Sequence, residues 1–415
     1  MFETNEEMVS PKYPLHPYQR QVLADILRVL ALPERRVVAH LPTGAGKTRI
    51  AAHAAAHVLN EKDTADSLVI WLASTEELCQ QAAEQLSSAW TFLGRRSAFV
   101  HRFWGDRWLD LRGLRSGFLV TGLAKLRSIA LKDITLLAHL AHCTALVIFD
   151  EAHQAVAETY SFITEQLCSV APPLLGLTAT PGRTANLTEA DYELAAMFNH
   201  NKVSIDPRGH DSPVTYLIHN RYLADPRFVP ISFDSDTHVN EPELGMDYSQ
   251  NELDELGRSH ERTRRIVELA KYASKRHPRT IVFCPSVQSA QECNRIAATS
   301  SVKAYVITAN TPREDRRAVI DVFTSDCREH FVMFNYGVLT AGFDAPRTRC
   351  VIIARPTTSL VLYSQMAGRA MRGPRVGGNA RSEIFTVADT NLPGFGSVTE
   401  AFTAWEDLWS TNSPS

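Results

Sequence analysis

Short apolar runs alternate along this chain with segments whose apolar residues recur every three or four positions. "RVVAHL" (from Arg36) reads as a buried strand and "KTRIAAHAAAHVL" after it as a helix. "SLVIWLA" (from Ser67) then reads as a strand and "EELCQQAAEQLSSAW" as a helix. "GFLVT" (from Gly117), "ALVIFD" (from Ala145) and "LLGLTAT" (from Leu174) are further strands. Strands that are apolar without alternation, separated by helices, predict an α/β fold with a parallel sheet covered on both faces.

The pattern fades after Asp225 and restarts after Glu261. The stretch between, polar, acidic and interrupted by prolines, reads as a linker over 226–260. Strands follow at "RTIVFC" (from Arg279), "KAYVIT" (from Lys303), "HFVMFN" (from His330), "CVIIA" (from Cys350) and "SEIFTV" (from Ser382), with helices over "SVQSAQECNRIAA" and "REDRRAVIDVF". A helix starting near Ser359 is expected to carry Arg369 and Arg372 on one face, since they lie three apart. The expected organisation is a first α/β domain over 10–225, a second over 261–395, and a tail over 396–415 whose "FTAWEDLWS" reads as a short docking helix. A chain of 415 residues is long enough for two such cores.

Composition changes this picture little. Apolar residues make up 44% and charged residues 21%, as in ordinary soluble proteins. The net charge of −3 counts mildly against a nucleic-acid binder, although a local groove can be positive on a neutral protein. The seven cysteines form no C-x-x-C pair, so zinc-ribbon and redox motifs are excluded; they read as reduced, mostly buried thiols of a cytoplasmic protein. The acidic start "MFETNEEMVSPKYP" is no signal peptide, and no apolar run approaches the roughly 20 residues of a membrane span. His53 and His57 have metal-ligand spacing but no third ligand or Glu-x-x-His frame, and read as ordinary helix residues.

The chemistry concentrates at two strand ends. "LPTGAGKT" (Leu41 to Thr48) follows a strand and opens a helix, the context of a phosphate-binding loop, with Leu41 where the strict pattern has glycine. Pro42, Thr43, Gly44, Ala45 and Gly46 would wrap backbone N–H groups around phosphates. Lys47 would reach the β- and γ-phosphates, and the Thr48 hydroxyl would hold Mg2+. "VIFDEAHQA" puts Asp150 and Glu151 at the end of a buried strand, where α/β sheets place their ligands. Asp150 is expected to hold the metal and Glu151 to activate the attacking water; read alone, the pair is equally a helix cap.

With these motifs in order the chain resembles superfamily 2 helicases of the DEAD/DEAH type. "DEAH" (Asp150 to His153) and "LTATPGR" (Leu177 to Arg183) look like motifs II and III. "LHPYQ" resembles the segment in which a glutamine, here Gln19, reads adenine, with His16 in place of the usual arginine. "STEELCQQ" (from Ser74) and "VTGLAKL" (from Val120) resemble motifs Ia and Ib. "IVFCPSVQSA", "GVLTAGFDAP" and "QMAGRAMRG" (Gln365 to Gly373) resemble motifs IV, V and VI, with Ala341 where many relatives have glutamate. The branch is the one with RadD, the XPB-type repair helicases and the translocating subunits of type III restriction enzymes, supported also by "VTYLIHNRYLADP" (from Val214).

The resemblance implies two tandem RecA-like domains with the ATP cleft between them, closing as ATP turns over. It implies ATP and Mg2+ as cofactors and Gln365, Arg369 and Arg372 on the γ-phosphate. It places Gly342 and Asp344 near the ribose, and His153, Thr178 and Thr180 as couplers. Thr75, Thr121, Ser286 and Thr340 would contact a nucleic-acid strand through hydroxyls and neighbouring N–H groups. The implied activity is nucleic-acid translocation, 3′ to 5′ by family, on DNA more than RNA, in repair, recombination or phage defence. The alternatives are an RNA helicase, a nucleotide-dependent switch, or the motor subunit of a nuclease complex. "HRFWGDRWLDLRGLR" (from His101) reads as a helix edge with buried tryptophans and solvated arginines, the alternative being a surface that stacks on exposed bases.

Overall fold

Runs of Val, Ile, Leu and Phe, too short for helices and flanked by Gly, Ser and Asp, become central strands here. The computed structural model describes residues 11–62, 64–179, 189–233, 242, 247–300, 302–325, 329–339 and 345–389. The first part holds β1 (Arg36–His40), β2 (Leu68–Ala73), β3 (Phe99–Phe103), β4 (Gly117–Gly122), β5 (Thr144–Asp150), β6 (Leu174–Thr178) and β7 (Lys202–Ser204). The helices among them are α1 (Pro17–Leu30), α2 (Lys47–Asn60), α3 (Glu76–Leu93), α4 (Leu123–Ala130), α5 (Ile134–Cys143), α6 (Glu158–Leu167) and α7 (Glu189–Met197). They form a seven-stranded sheet of order β3-β4-β2-β5-β6-β1-β7. The pairs β3/β4, β4/β2, β2/β5 and β5/β6 are parallel. Every residue of β2 is buried, as is all of β5 after Thr144, which is why these runs show no alternation.

After α8 (Pro213–His219) the chain enters β8 (Asp225–Phe233), α9 (Gln250–Arg258), α10 (His260–Ser274), β9 (Arg279–Phe283) and α11 (Val287–Ala298). Then come β10 (Lys303–Ile307), α12 (Arg313–Thr324), β11 (Phe331–Asn335), β12 (Cys350–Ile353), α13 (Leu360–Gly368) and β13 (Arg381–Asp389). The six-stranded sheet has order β10-β11-β9-β12-β13-β8 and is parallel throughout. Val282, Val332, Phe334, Ile352, Ile266 and Cys293 are among its core residues. The fold is thus two parallel sheets flanked by helices.

Contacts group the described residues into two compact units. One comprises the described residues of 1–39, 46–150 and 157–177, the other those of 40–45, 151–156 and 178–415. The start of the phosphate loop and the residues after Asp150 therefore belong with the second unit. Among the described residues no helix is long and apolar enough to cross a membrane.

Two sequence expectations change. The stretch read as a linker contains β8, the edge strand of the second sheet, and α9, whose start is a Ser249–Glu252 capping box. The linker reading rested on exposed polar residues and prolines, which an edge strand tolerates. Asp225 N–H bonds the Ala380 carbonyl, so odd-numbered residues face β13. Pro226 and Pro230 therefore point outward, where no N–H is needed. The His101 segment is also no helix: it is β3 followed by an irregular loop, with Trp104 buried and Trp108 78% exposed.

Candidate functional site

The phosphate loop is placed by strand ends. Leu41 N–H donates to the Thr178 carbonyl at 3.0 Å, tying the end of β1 to the end of β6. His40 Nε2 lies 3.1 Å from the Ala179 carbonyl oxygen. Gly44 and Gly46 take φ of +89° and +82°, left-handed values that side-chain-bearing residues resist. Gly46 caps α2, so Lys47 and Thr48 occupy its first turn, where orphan N–H groups favour phosphate. Gln19 backs this turn, because a Cβ on Gly46 would stand 2.4 Å from its Nε2. The Gln19 side chain also accepts from His16 N–H at 2.9 Å, so it is held in place.

Asp150 ends β5, next to β6 in the sheet, at the same carboxyl edge as the loop. It is 4% exposed. The Thr48 hydroxyl and the buried Asp150 carboxylate are hard oxygen donors, a set that fits Mg2+. Glu151 follows with φ 54° and ψ 57°, an uncommon left-handed conformation for a glutamate. Such strain clusters at functional sites and persists only where neighbours hold it. Its Oε2 lies 3.4 Å from Nδ1 of buried His153.

In the second unit α13 ends at Gly368, not beyond it. Arg369 is the C-cap, and Arg372 lies outside the helix, bridged antiparallel to Leu223. The expected shared helix face is therefore corrected. Backbone pairing takes over from the helix: Ala224 N–H donates to Met371, Gly373 N–H to Tyr222 and Arg375 N–H to Arg221. "NRYLA" thus braces the arginine turn, a role its sequence did not announce. Arg372 Nη1 donates to the Gly44 carbonyl at 3.1 Å. The approach depends on Gly368, whose added Cβ would sit 2.4 Å from Thr43 Cγ2. Pro42, Thr43, Leu223, Ser364, Gly368 and Met371 line a small pocket at this contact. The Thr43 and Ser364 hydroxyl oxygens are buried there and find no hydrogen-bond partner among the described residues. Gln365 is buried on the same helix.

The expected strand contacts divide. Thr75 is exposed and caps α3, accepting from Leu78 N–H at 3.2 Å. Thr121 and Ser286 are fully buried, and their hydroxyls serve the fold. Ser286 caps α11 through Ser289 N–H at 3.1 Å, with Gly257 of α9 packed against it. A hydroxyl contact from either is thereby corrected; only backbone near them could serve. Thr178 is buried in β6, with its carbonyl on the phosphate loop. Thr180, Thr340, Gly342 and Asp344 lie outside the described residues.

A phosphate-loop sequence, a buried acidic pair and an arginine turn thus each stand at a strand end or helix end of two parallel sheets. Residues 12–183 match the family of the type III restriction enzyme res subunit, and residues 261–374 match the helicase conserved C-terminal domain. The chain therefore joins a domain of the type III restriction res-subunit family to a helicase conserved C-terminal domain. It is 26% identical over 367 residues to the putative mitochondrial ATP-dependent helicase irc3 of Schizosaccharomyces pombe, covering 86% of this chain and 55% of that one. It is 29% identical over 231 residues to a 51.5 kDa protein of a Lactococcus phage, covering 55% of this chain and 46% of that one. The chain thus spans about half the length of these relatives. Among solved structures, the helicase MrfA bound to DNA and AMPPNP shares the fold, with a TM-score of 0.64 at 17% identity, over 91% of this chain and 48% of that one.

Proposed function

We propose that this chain is a nucleic-acid-stimulated ATPase that drives translocation or strand separation, on DNA in preference to RNA. The observation that carries the reading is the Arg372–Gly44 hydrogen bond, which sets a motif VI guanidinium against the loop that would hold the phosphates.

In this reading Gln19 selects adenine and Lys47 binds the β- and γ-phosphates. Thr48 and Asp150 would hold Mg2+, which when bound neutralises phosphate charge. Glu151 orients a water molecule and takes its proton as the water oxygen bonds to the γ-phosphorus. The bond from that phosphorus to the β-bridging oxygen breaks, leaving ADP and phosphate. Arg369 and Arg372 stabilise charge on the γ-phosphoryl oxygens, a contribution of about 10³–10⁵ in rate in other P-loop enzymes. Gln365 would order the same group. His153, adjoining Glu151, and Thr178, bonded to the loop, would relay the nucleotide state to the strand-binding edge, where Thr75 is exposed. Motif V would contribute Gly342, Asp344 and Thr340, and motif III Thr180.

DNA is favoured by the restriction-type first domain, and that family name also favours the second reading, the motor subunit of a nuclease complex. We place the protein in the cytoplasm, in keeping with six free cysteines among the described residues, five of them buried.

The test is ATPase activity with single-stranded DNA, duplex, forked DNA and RNA, alongside strand displacement. Strong stimulation by DNA with displacement is expected, and Lys47→Ala should abolish both. Stimulation without displacement or motion would favour the subunit reading; preference for RNA would overturn the DNA assignment.

A further inference from the structure

Trp108 is the most exposed of the large hydrophobic residues among those described, at 78%. The backbone that carries it is braced on both sides. Trp104 before it and Leu111 after it are buried anchors. Lys125, in the first turn of α4, donates to the Gly105 carbonyl at 2.6 Å and also to that of Arg107. Arg107 stacks over the Trp104 ring at 4.5 Å. Further along, Arg112 is fixed to Asp133 at 2.8 Å and to Thr135 at 2.7 Å. The ring is held out on a fixed platform.

The position of that platform follows from topology. The loop leaves the carboxyl end of β3, which pairs in parallel with β4, which pairs in parallel with β2. The carboxyl ends of the three strands carry, in order, the Trp104–Trp108 loop, Gly122 and the Thr75 cap. A Cβ on Gly122 would lie 3.4 Å from the Trp104 Cβ, so the loop abuts motif Ib directly.

We infer that Trp108 stacks on an unpaired base of a bound single strand, extending the strand path from Thr75 across the edge of the first sheet. This rests on the nucleic-acid reading above and adds to it a base contact that the helicase motifs do not supply. The ring is isolated among exposed Asp106, Arg107, Asp110 and Arg112. A protein-docking hot spot needs an apolar surround that excludes water. A base needs only one ring face and nearby cations for its phosphates. With Arg112 paired to Asp133, Arg102, Arg107 and Arg115 stand against Asp106 and Asp110 between residues 101 and 115, and supply those cations on a chain of net charge −3.

The experiment measures binding of the full chain to a labelled oligothymidine and to the same oligomer with abasic sites, at fixed salt. Wild type should prefer the base-bearing strand. Trp108→Ala should weaken that binding about 5- to 100-fold, the scale of one stacked base, and erase the preference. Trp108→Phe should keep most of both, and ATPase activity without nucleic acid should be unchanged in either variant. Equal binding by wild type and Trp108→Ala overturns the inference while leaving the function standing. So does an equal loss on base-bearing and abasic strands, which would mean a phosphate contact or a local structural role. Unchanged DNA binding with loss of self-association would make Trp108 a protein contact. If wild type binds neither oligomer, the nucleic-acid reading itself fails, and the stacking with it.

Discussion

Arg372 and Gly44 meet across 328 positions of sequence, guanidinium to carbonyl, at 3.1 Å. The planar fork of arginine can exchange this carbonyl for phosphate oxygens, which lysine matches poorly. We expect Arg372→Ala to bind ATP within a few-fold of wild type while turnover falls by about 10³ or more. Arg369→Ala should behave alike. Fluorescent-nucleotide binding beside steady-state ATPase separates the two effects, and a matched loss of binding would remove both residues from the transition state.

The contact of Gly368 with Thr43 makes a steric prediction. A methyl group at 368 would overlap Thr43 Cγ2 at 2.4 Å and Cβ at 2.6 Å. Gly368→Ala should cost about 1–3 kcal/mol, the range for overpacking. Thr43→Ser removes Cγ2 and should restore part of the loss. Denaturant midpoints of the single and double variants decide this, and strictly additive effects would reject the contact.

Glu151 combines burial, a left-handed backbone and an adjoining His153. Glu151→Gln keeps the shape and removes the base. Its turnover should fall by about 10²–10⁴ with ATP affinity retained. Brisk hydrolysis in that variant would transfer the role of base to another group.

His277 is buried against Glu383 at 2.9 Å, and burial holds its pKa below the ordinary histidine value although the carboxylate pulls upward. The unfolded chain therefore takes up this proton first as pH falls. The contribution of His277 is fully present above about pH 6.5 and is lost as pH drops toward its depressed folded value. Denaturant midpoints between pH 7.5 and 5 should fall on acidification, and His277→Gln should lessen the slope. An unchanged slope would exclude His277 as a source.

The strands were legible because burial on both faces writes itself as unbroken apolar runs, as at Leu68–Ala73. The phosphate loop was legible because its turns demand glycine at 44 and 46. What escaped depended on partners distant in sequence. Arg369 and Arg372 look like one helix face until Leu223 and its neighbours, far upstream, draw Arg372 into a backbone pair. Ser286 looks like a free cap hydroxyl until Gly257 packs on it. Trp104 and Trp108 are the same residue type four apart, and only the neighbouring Gly122 and Lys125 decide which is buried.

The edge strand β8 also sets an order of events. Its partner β13 lies 156 residues further on at the Arg227–Glu383 pair, so during synthesis β8 emerges long before anything can cover its inner edge. The prolines at 226 and 230 meanwhile keep its outer edge from pairing with a wrong neighbour. The second sheet closes only when β13 arrives, and pairing over such a separation is intrinsically slow. A fragment cut at residue 261, where the helicase C-terminal match begins, would lack this strand altogether. It would leave β13 as a bare edge, ready to pair with its own copies. The second sheet is therefore complete only in a chain that starts at or before Asp225.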